Sequence, residues 1–308
     1  MTDRAMQVLV TDLDNTLWDW FEAWFQPFSA MLTRLADLSG VSQDVLEAEI
    51  RQVHQARGTT EYSNLLNEIP ALLTASAPGS PADVFDEAQH VLNSRRRTAT
   101  ALYPGVYDAL TQIKAAGISI VAYTESTAYW TEWRIKHTNL DGIIDVLYSA
   151  PDHELPGGAN PQILRTGYLA DSEYGLKRTE HHHVPRGVTK PNVEILSSIL
   201  RDQNCPPSRA VYVGDSLMKD IAMAQSAGVL DVYARYGTVQ HKSEYELLRR
   251  VTHWPDEDVA REKAVTAATK SQIKPTFTCE SRFDEILPLL KLQSLDSTSI
   301  HHEQQAVR

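Results

Sequence analysis

Four groups of polar side chains lie at the ends of predicted strands or helices, and their residue types suit chemistry at a phosphoryl group. The groups are Asp12 with Asp14 and Thr16, Thr124 alone, Lys190 alone, and Asp215 with Asp220. Two carboxylates that are two residues apart and follow a strand form an open turn with oxygen ligands for a hard cation. One carboxylate of such a pair can attack phosphorus to give an aspartyl-phosphate, and the other can transfer the leaving-group proton.

Asp215 and Lys190 add a third acidic group and a cation. Asp215 follows Gly214, which permits close approach of the backbone, and it would complete a metal site from another strand. Lys190 precedes Pro191, the expected first residue of a helix, so its charge at the N-cap would oppose the helix dipole. This placement is favourable where an anion, such as a phosphoryl group, lies between the lysine and the helix end.

Apolar runs that alternate with helical periodicity predict the elements that position these groups. We predict strands at 7–11, 118–123, 143–150, 209–215 and 229–234, with a last edge strand at 275–281. Helices are expected at 102–117, 127–138, 191–200, 217–227 and 283–290. Alternating strands and helices predict an α/β fold, a three-layer doubly wound parallel sheet. Ligands of such sheets bind beyond the carboxyl ends of the strands.

The remaining segments differ from this core pattern. Residues 18–101 have the apolar spacing of helices and no alternating strand pattern, which predicts an all-helical insert after the first strand. The core is then expected to comprise 1–17 and 102–292. Within and after it we expect an irregular insertion at 151–189, polar helices at 238–272 and a flexible tail at 293–308.

Three further clusters have both a functional and a structural interpretation. The aromatic residues that open the insert have the spacing of a packed helix face, and Trp18 is the candidate among them to contact substrate. Arg95, Arg96 and Arg97 end a predicted helix, where cations favour the dipole, although they could reach a second anionic group of a substrate. The run His181–His183 has no neighbouring cysteine or spaced histidine and is interpreted as a solvated loop.

Composition excludes several classes of function. The 308 residues carry a formal net charge of −11, and so acidic a surface disfavours binding to nucleic acid. No run of apolar residues is long enough to span a membrane, and the N-terminus has no secretory pattern, so a cytoplasmic protein is expected. The two cysteines, Cys205 and Cys279, are too few for a disulfide framework and are expected as free thiols.

The four polar groups, taken in order, match the motifs of a known family. The sequence DLDNT at 12–16 fits a D-x-D-x-T motif, Thr124 stands in VAYTES, Lys190 in TKPNVEIL, and Asp215 with Asp220 in GDSLMKD. The sequence resembles the haloacid dehalogenase (HAD) superfamily, in its phosphatase branch. The YPGV sequence at 103–106 is typical of members whose helical cap is inserted after the first motif. The resemblance covers 7–20 and 102–235.

This resemblance implies a role for each matched residue. Asp12 is expected to be the nucleophile and Asp14 the general acid and base, while Thr124 and Lys190 bind the phosphoryl oxygens. The implied Mg²⁺ ligands are Asp12, the backbone carbonyl of Asp14, Asp215, and Asp220 either directly or as an orienting neighbour. The residues expected near the substrate are Thr16, Trp18, Glu125 and Ser126. The implied reaction is Mg²⁺-dependent hydrolysis of a small phosphorylated metabolite. The resemblance does not indicate the oligomeric state of the protein.

The same residues also bear on the other activities found in this family. A dehalogenase attacks carbon without a metal and generally lacks the second aspartate of the first motif, so Asp14 argues against it. A phosphonatase needs a lysine in the cap, and residues 18–101 contain none. A sugar-phosphate mutase and a catalytically silent binding protein stay open. Nucleoside monophosphates, phosphoglycolate and sugar phosphates are all open as substrates.

Overall fold

The computed structural model describes residues 5–152, 175–260 and 273–292. Its strands are β1 (Val8–Thr11), β2 (Ser119–Thr127), β3 (Val146–Ala150), β4 (Glu180–His183), β5 (Ala210–Gly214), β6 (Leu230–Ala234) and β7 (Phe277–Cys279). They form one parallel sheet in the order β4-β3-β2-β1-β5-β6-β7. The predicted α/β class and parallel sheet are confirmed.

Helices connect these strands. Between β1 and β2 lie α1 (Trp20–Ser39), α2 (Gln43–Arg57), α3 (Pro70–Ser76), α4 (Pro81–Val84), α5 (Asp86–Ala99) and α6 (Val106–Ala115). The later helices are α7 (Ala128–His137), α8 (Val193–Asp202), α9 (Ala222–Ser226) and α10 (Tyr245–Val251). A π-turn at Leu217–Ile221 precedes α9, and a 3₁₀ segment at Phe283–Leu290 follows β7. None of the helices in the described ranges is long and apolar enough to cross a membrane.

The central strand β1 shows how the sequence produces three layers. β1 pairs with β2 on one side and with β5 on the other. Leu9 packs in a cluster that includes residues of α6, whereas Val8 and Val10 pack in a cluster that includes residues of α8 and α9. Successive side chains of a strand point to opposite faces, so a strand covered by helices on both sides must be apolar throughout. The doubly wound arrangement follows from this pattern.

Several boundaries differ from those predicted. β2 continues to Thr127 instead of ending at Tyr123, and its register with β3 shifts between these two residues. β3 begins at Val146, later than the predicted 143. The predicted insertion at 151–189 lies partly outside the described residues, as does 238–272, and the predicted tail at 293–308 lies wholly outside them.

The helix after Lys190 starts later than predicted. α8 begins at Val193, and its N-cap is Asn192, whose side chain accepts a hydrogen bond from the amide of Ile195 at 3.0 Å. The placement of Lys190 at the N-cap with Pro191 as the first helical residue is therefore wrong. Asparagine is a far better cap than lysine because its carboxamide oxygen satisfies an amide of the first turn.

The three consecutive histidines form part of the sheet. His181–His183 lie in β4, which pairs with β3, so the predicted solvated loop is wrong. His181 lies between two buried partners: its Nδ1 is 2.9 Å from Glu132 Oε1, and its Nε2 is 2.8 Å from Ser149 Oγ. The pairing was not visible in the sequence because three polar residues do not have the pattern of a buried strand.

The helices α1–α5 pack together with a later part of the chain. Residues 238–256, here called the strap, follow β6 and supply five buried side chains to the apolar cluster of these helices: Val239, Tyr245, Leu247, Leu248 and Val251. Polar contacts reinforce this packing, since Arg51 Nη1 donates to the carbonyl of Arg249 at 2.7 Å and Arg250 Nε donates to Glu47 at 2.6 Å. We call α1–α5 with the strap the helical body.

Replacing Leu248 with alanine is expected to destabilise the protein. Leu248 is 1% exposed in the cluster between the strap and the helices, so its loss leaves a cavity that costs about 2–5 kcal/mol in the free energy of unfolding. Leu73→Ala is the matched control, because Leu73 is 47% exposed on α3 and is expected to change stability by about 0.5 kcal/mol. Urea unfolding measures the free energy of unfolding of both variants. Equal losses of stability in Leu248→Ala and Leu73→Ala would contradict burial of the strap.

Candidate active site

The sheet brings the predicted site residues to one edge. Asp12 follows β1, Thr124 lies in β2 and Asp215 follows β5, and these three strands are adjacent. The amide of Asp12 donates to the carbonyl of Val213 at 2.8 Å, which fixes the end of β1 against β5. The three side chains therefore meet at the carboxyl end of the sheet.

Asp12 is buried at the centre of this edge. Its Oδ1 accepts a hydrogen bond from Lys190 Nζ at 2.5 Å, and its Oδ2 accepts one from Thr16 Oγ1 at 3.2 Å. Thr16 has no exposed surface, so the structure places it on the carboxylate of Asp12. Both oxygens of Asp12 are thereby held in fixed orientations.

Lys190 joins Asp12 to a second carboxylate. Its ammonium also donates to Asp220 Oδ1 at 2.9 Å and lies 5.0 Å from the centre of the Tyr123 ring. Burial disfavours the charged amine, but the carboxylates of Asp12 and Asp220 raise the pKa of Lys190 well above its usual value. Lys190 is therefore a permanent cation beside Asp12.

Glu125 holds the backbone of this lysine. Glu125 Oε1 accepts from the amide of Lys190 at 2.6 Å, and its Oε2 accepts from Lys219 Nζ at 2.5 Å. Both carboxylate oxygens are thus engaged in the described structure. This arrangement supports a role for Glu125 in ordering the loop around Lys190; its predicted contact with substrate stays a prediction.

Asp220 is fully occupied by hydrogen bonds. Besides Lys190, it accepts from the hydroxyl of Tyr212 at 2.9 Å and from the amide of Ser216 at 3.1 Å. A Cβ on Gly214 would lie 2.4 Å from the carboxyl carbon of Asp220, so glycine is needed for this close approach. These contacts favour Asp220 as an orienting neighbour of a metal over a direct ligand.

Asp215 differs from Asp220 because its carboxylate accepts no hydrogen bond from any residue that the structure describes. One oxygen each of Asp12, Asp215 and Asp220 lie within 4.8 Å of one another. Burial, with the charges of Asp12 and Asp220, raises the pKa of Asp215 well above its usual value. Crowded carboxylates with free oxygen lone pairs fit a hard divalent cation such as Mg²⁺, which would offset their repulsion.

The carboxylate of Asp14 contacts different residues from the acidic cluster of Asp12, Asp215 and Asp220. Its Oδ1 accepts from the indole Nε1 of Trp18 at 2.6 Å, and its Oδ2 accepts from Ser126 Oγ. Burial raises the pKa of Asp14, while the charge of Arg134, 3.9 Å away, lowers it. A carboxyl group whose pKa is raised is suited to donate a proton.

Trp18 and Ser126, both predicted near substrate, are thus placed against Asp14. Trp18 has no exposed surface, so in this structure its indole positions the carboxylate of Asp14 and offers no face to a ligand. The amide of Ser126 donates to Thr124 Oγ1 at 3.1 Å, which links Thr124 to the same network. The turn that aims Asp14 is made by Asn15, whose φ of 58° is a left-handed value that asparagine adopts more readily than most residues.

Sequence reasoning did not identify Arg134 and Glu61 as neighbours of the site. Arg134 on α7 is 1% exposed and forms an ion pair with Glu61, which lies in the loop after α2. The two residues are 73 positions apart in the chain. The sequence showed Trp130 and Arg134 one helical turn apart, but no local signal connects them with Glu61.

Comparison with known proteins identifies the family. A model of the haloacid dehalogenase-like hydrolases matches residues 6–167, and a HAD-hydrolase-like model matches residues 187–262. The chain belongs to the haloacid dehalogenase-like hydrolases. This HAD hydrolase shares its fold with YfnB of Bacillus subtilis, a HAD hydrolase solved bound to magnesium. The TM-score is 0.50, and the two sequences are 13% identical over 94% of this chain and 100% of that chain.

Two curated relatives match shorter regions. The glyceraldehyde 3-phosphate phosphatase of Methanopyrus kandleri is 46% identical over 54 residues, which is 18% of this chain and 23% of the relative. The phospholysine phosphohistidine inorganic pyrophosphate phosphatase of Danio rerio is 33% identical over 70 residues, which is 23% of this chain and 26% of the relative. The chain thus spans about a quarter of the length of each relative.

The ionisation of Asp12 is expected to make stability depend on pH when no metal is bound. Burial raises the pKa of Asp12 from 3.8 to about 7, with a further contribution from Asp220 and an opposing one from Lys190. Between these two values the unfolded chain has lost the proton that the folded state retains, so folding is increasingly disfavoured as pH rises. Asp12→Asn removes this contribution. Parallel stability–pH curves for both proteins, from urea unfolding in EDTA, would contradict the raised pKa.

Proposed function

We propose that this HAD hydrolase removes the phosphoryl group of a small phosphorylated metabolite through an aspartyl-phosphate on Asp12. The observation that carries the proposal is the position of Asp12. Its Oδ1 lies 2.5 Å from Lys190 Nζ, and other carboxyl groups lie near it. Asp215, with Asp220 beside it, offers a metal ligand, and Asp14 offers a proton. Both curated relatives are phosphatases, which supports this reaction class.

The reaction divides into two steps with balanced proton transfers. In the first, a carboxylate oxygen of Asp12 forms a bond to phosphorus while the bond from phosphorus to the leaving oxygen breaks. Asp14 gives its proton to that leaving oxygen. In the second, Asp14 takes a proton from water, the water oxygen attacks phosphorus, and the carboxylate of Asp12 is released with inorganic phosphate.

Lys190 and Thr124 would bind the oxygens of the phosphoryl group during both steps. A phosphoryl transition state spreads negative charge over its oxygens, so a fixed ammonium group beside Asp12 stabilises it. The ammonium of Lys190 is held by its hydrogen bond to Asp220, and the backbone amide of Lys190 is held by its hydrogen bond to Glu125. The helical body would act as a cap that excludes water during transfer and reopens to release product.

Mg²⁺ is the metal that these residues would hold. Asp12, Asp215 and the backbone carbonyl of Asp14 are the proposed ligands, and Asp220 orients the cluster through its hydrogen bonds. When bound, the ion would supply positive charge to the phosphoryl oxygens and reduce repulsion between the substrate and the carboxylates.

Asp12→Asn is expected to reduce phosphate release by at least about 10³-fold, because an amide oxygen cannot act as the nucleophile. Inorganic phosphate release is measured across a panel of phosphomonoesters with Mg²⁺ and with EDTA. Asp37→Asn is the matched control, since Asp37 is exposed on α1 and is expected to keep full activity. Appreciable turnover by Asp12→Asn would remove Asp12 from the nucleophilic role.

Asp215→Ala is expected to raise the Mg²⁺ concentration needed for half-maximal activity by about 10- to 100-fold or more, because it deletes a proposed ligand with no other bonding partner among the described residues. The measurement is initial rate against Mg²⁺ concentration at saturating substrate. An unchanged metal requirement would refute the assignment of Asp215 as a ligand.

A further inference from the structure

A buried arginine with unused hydrogen-bond donors lies beside the proton donor. Arg134 donates a hydrogen bond from its Nη2 to the carboxylate of Glu61. Its Nη1 is 3.9 Å from Asp14 Oδ1, beyond hydrogen-bond distance, and the oxygens of Asp14 already accept from Trp18 and Ser126. The Nε and Nη1 atoms of Arg134 are buried and have no hydrogen-bond partner among the described residues.

A second guanidinium group lies near the first. Arg96, from the last turn of α5, stacks on the ring of Trp130 with its central carbon 3.9 Å from the ring centre. Trp130 in turn donates its indole nitrogen to the carbonyl of Glu61 at 3.1 Å. Burial lowers the pKa of Arg96 to about 10, with the charge of Glu61 opposing the shift and that of Arg134 adding to it.

The hydrogen-bond donors of the two arginines outnumber the acceptors around them. Among the residues that the structure describes, Glu61 is the carboxylate hydrogen-bonded to Arg134, and the guanidinium of Arg96 makes no hydrogen bond at all. For Arg134, buried donor atoms without an acceptor are destabilising, because they have lost their hydration and gained no hydrogen bond in exchange. Such a cluster is favourable where a ligand brings the missing acceptor.

We propose that Arg134 and Arg96 bind a second anionic group on the substrate, located on the part that departs with the leaving oxygen. The inference rests on the proposed function, because the position of the group follows from the role of Asp14. Asp14 protonates the leaving oxygen, so whatever is attached to that oxygen lies on the Asp14 side of the site, where Arg134 is 3.9 Å away. Guanidinium groups suit such a ligand because their forked donors match carboxylate and phosphate oxygens.

Pairs of substrates that differ in one charge test the subsite. The carboxylate pair is 2-phosphoglycolate and ethyl phosphate; the phosphate pair is propane-1,3-diol bisphosphate and propyl phosphate. We expect kcat/KM to favour the charged member of at least one pair by about 10- to 100-fold, and the pair that shows it identifies the anion. Equal kcat/KM within both pairs would overturn the subsite but leave the phosphatase intact. Release of phosphate from neither member would overturn the proposed function, and the subsite with it.

Variants separate binding from support of the fold. Arg96→Met keeps a side chain on the Trp130 ring but removes the charge, so it is expected to abolish most of the preference by raising KM for the charged member alone. Arg95→Met is the matched control, because Arg95 is exposed one position earlier on α5. A preference that Arg95→Met and Arg96→Met change equally would overturn the role of Arg96.

Glu61→Gln provides the opposite change in charge and leaves both arginines in the sequence. It removes a negative charge from the cluster, so preference for the charged member is expected to increase. If the arginines serve only to attach the helical body through Glu61, this variant will lower kcat/KM for both members of a pair by the same factor. That equal loss would overturn the proposal. Thermal unfolding of each variant shows that it has folded.

Discussion

The ammonium group of Lys190 lies between the carboxylates of Asp12 and Asp220, and the site is built around this contact. Three carboxylates in one cluster, of which Asp12 and Asp220 are buried, repel one another more strongly than they would in water. Lys190 offsets part of that repulsion, and the residues nearby serve to keep it there. Glu125 binds its backbone amide, while Tyr212 and Gly214 determine where Asp220 can lie.

The two sides of Asp12 have different electrostatic environments, and this asymmetry separates their chemistry. On the side of the acidic cluster, Asp215 and Asp220 add to the negative charge around Asp12. On the opposite side, Asp14 is neighboured by Trp18, Ser126 and a cation, Arg134. One aspartate environment therefore suits a metal ion, and the other suits a group that gains and loses a proton.

The parts of this arrangement that the sequence predicts are those with a local cause. Strand ends and their polar residues follow from apolar runs of consecutive residues, so the positions of Asp12, Thr124 and Asp215 on adjacent strands could be predicted. Contacts such as that of Arg134 with Glu61 join distant segments, and depend on packing that no local pattern contains. The strap was expected only as polar helix, because its buried residues are interspersed with charged ones such as Arg250, which pairs with Glu47 of α2.

The residues that lead into the strap contact the turn that carries Asp14. The chain enters the helical body after Asp19, leaves it before Ala101 and enters it again after Gly237, and a backbone hydrogen bond joins Asp19 to Ala101. The hydroxyl of Tyr236 donates to the carbonyl of Thr16 at 2.7 Å, and a Cβ on Gly237 would lie 1.7 Å from the carbonyl oxygen of Asn15. These contacts hold the turn that carries Asp14 against the start of the strap. A shift of the helical body relative to the sheet would therefore displace this turn as well, so the position of the helices and the direction of the Asp14 side chain depend on each other.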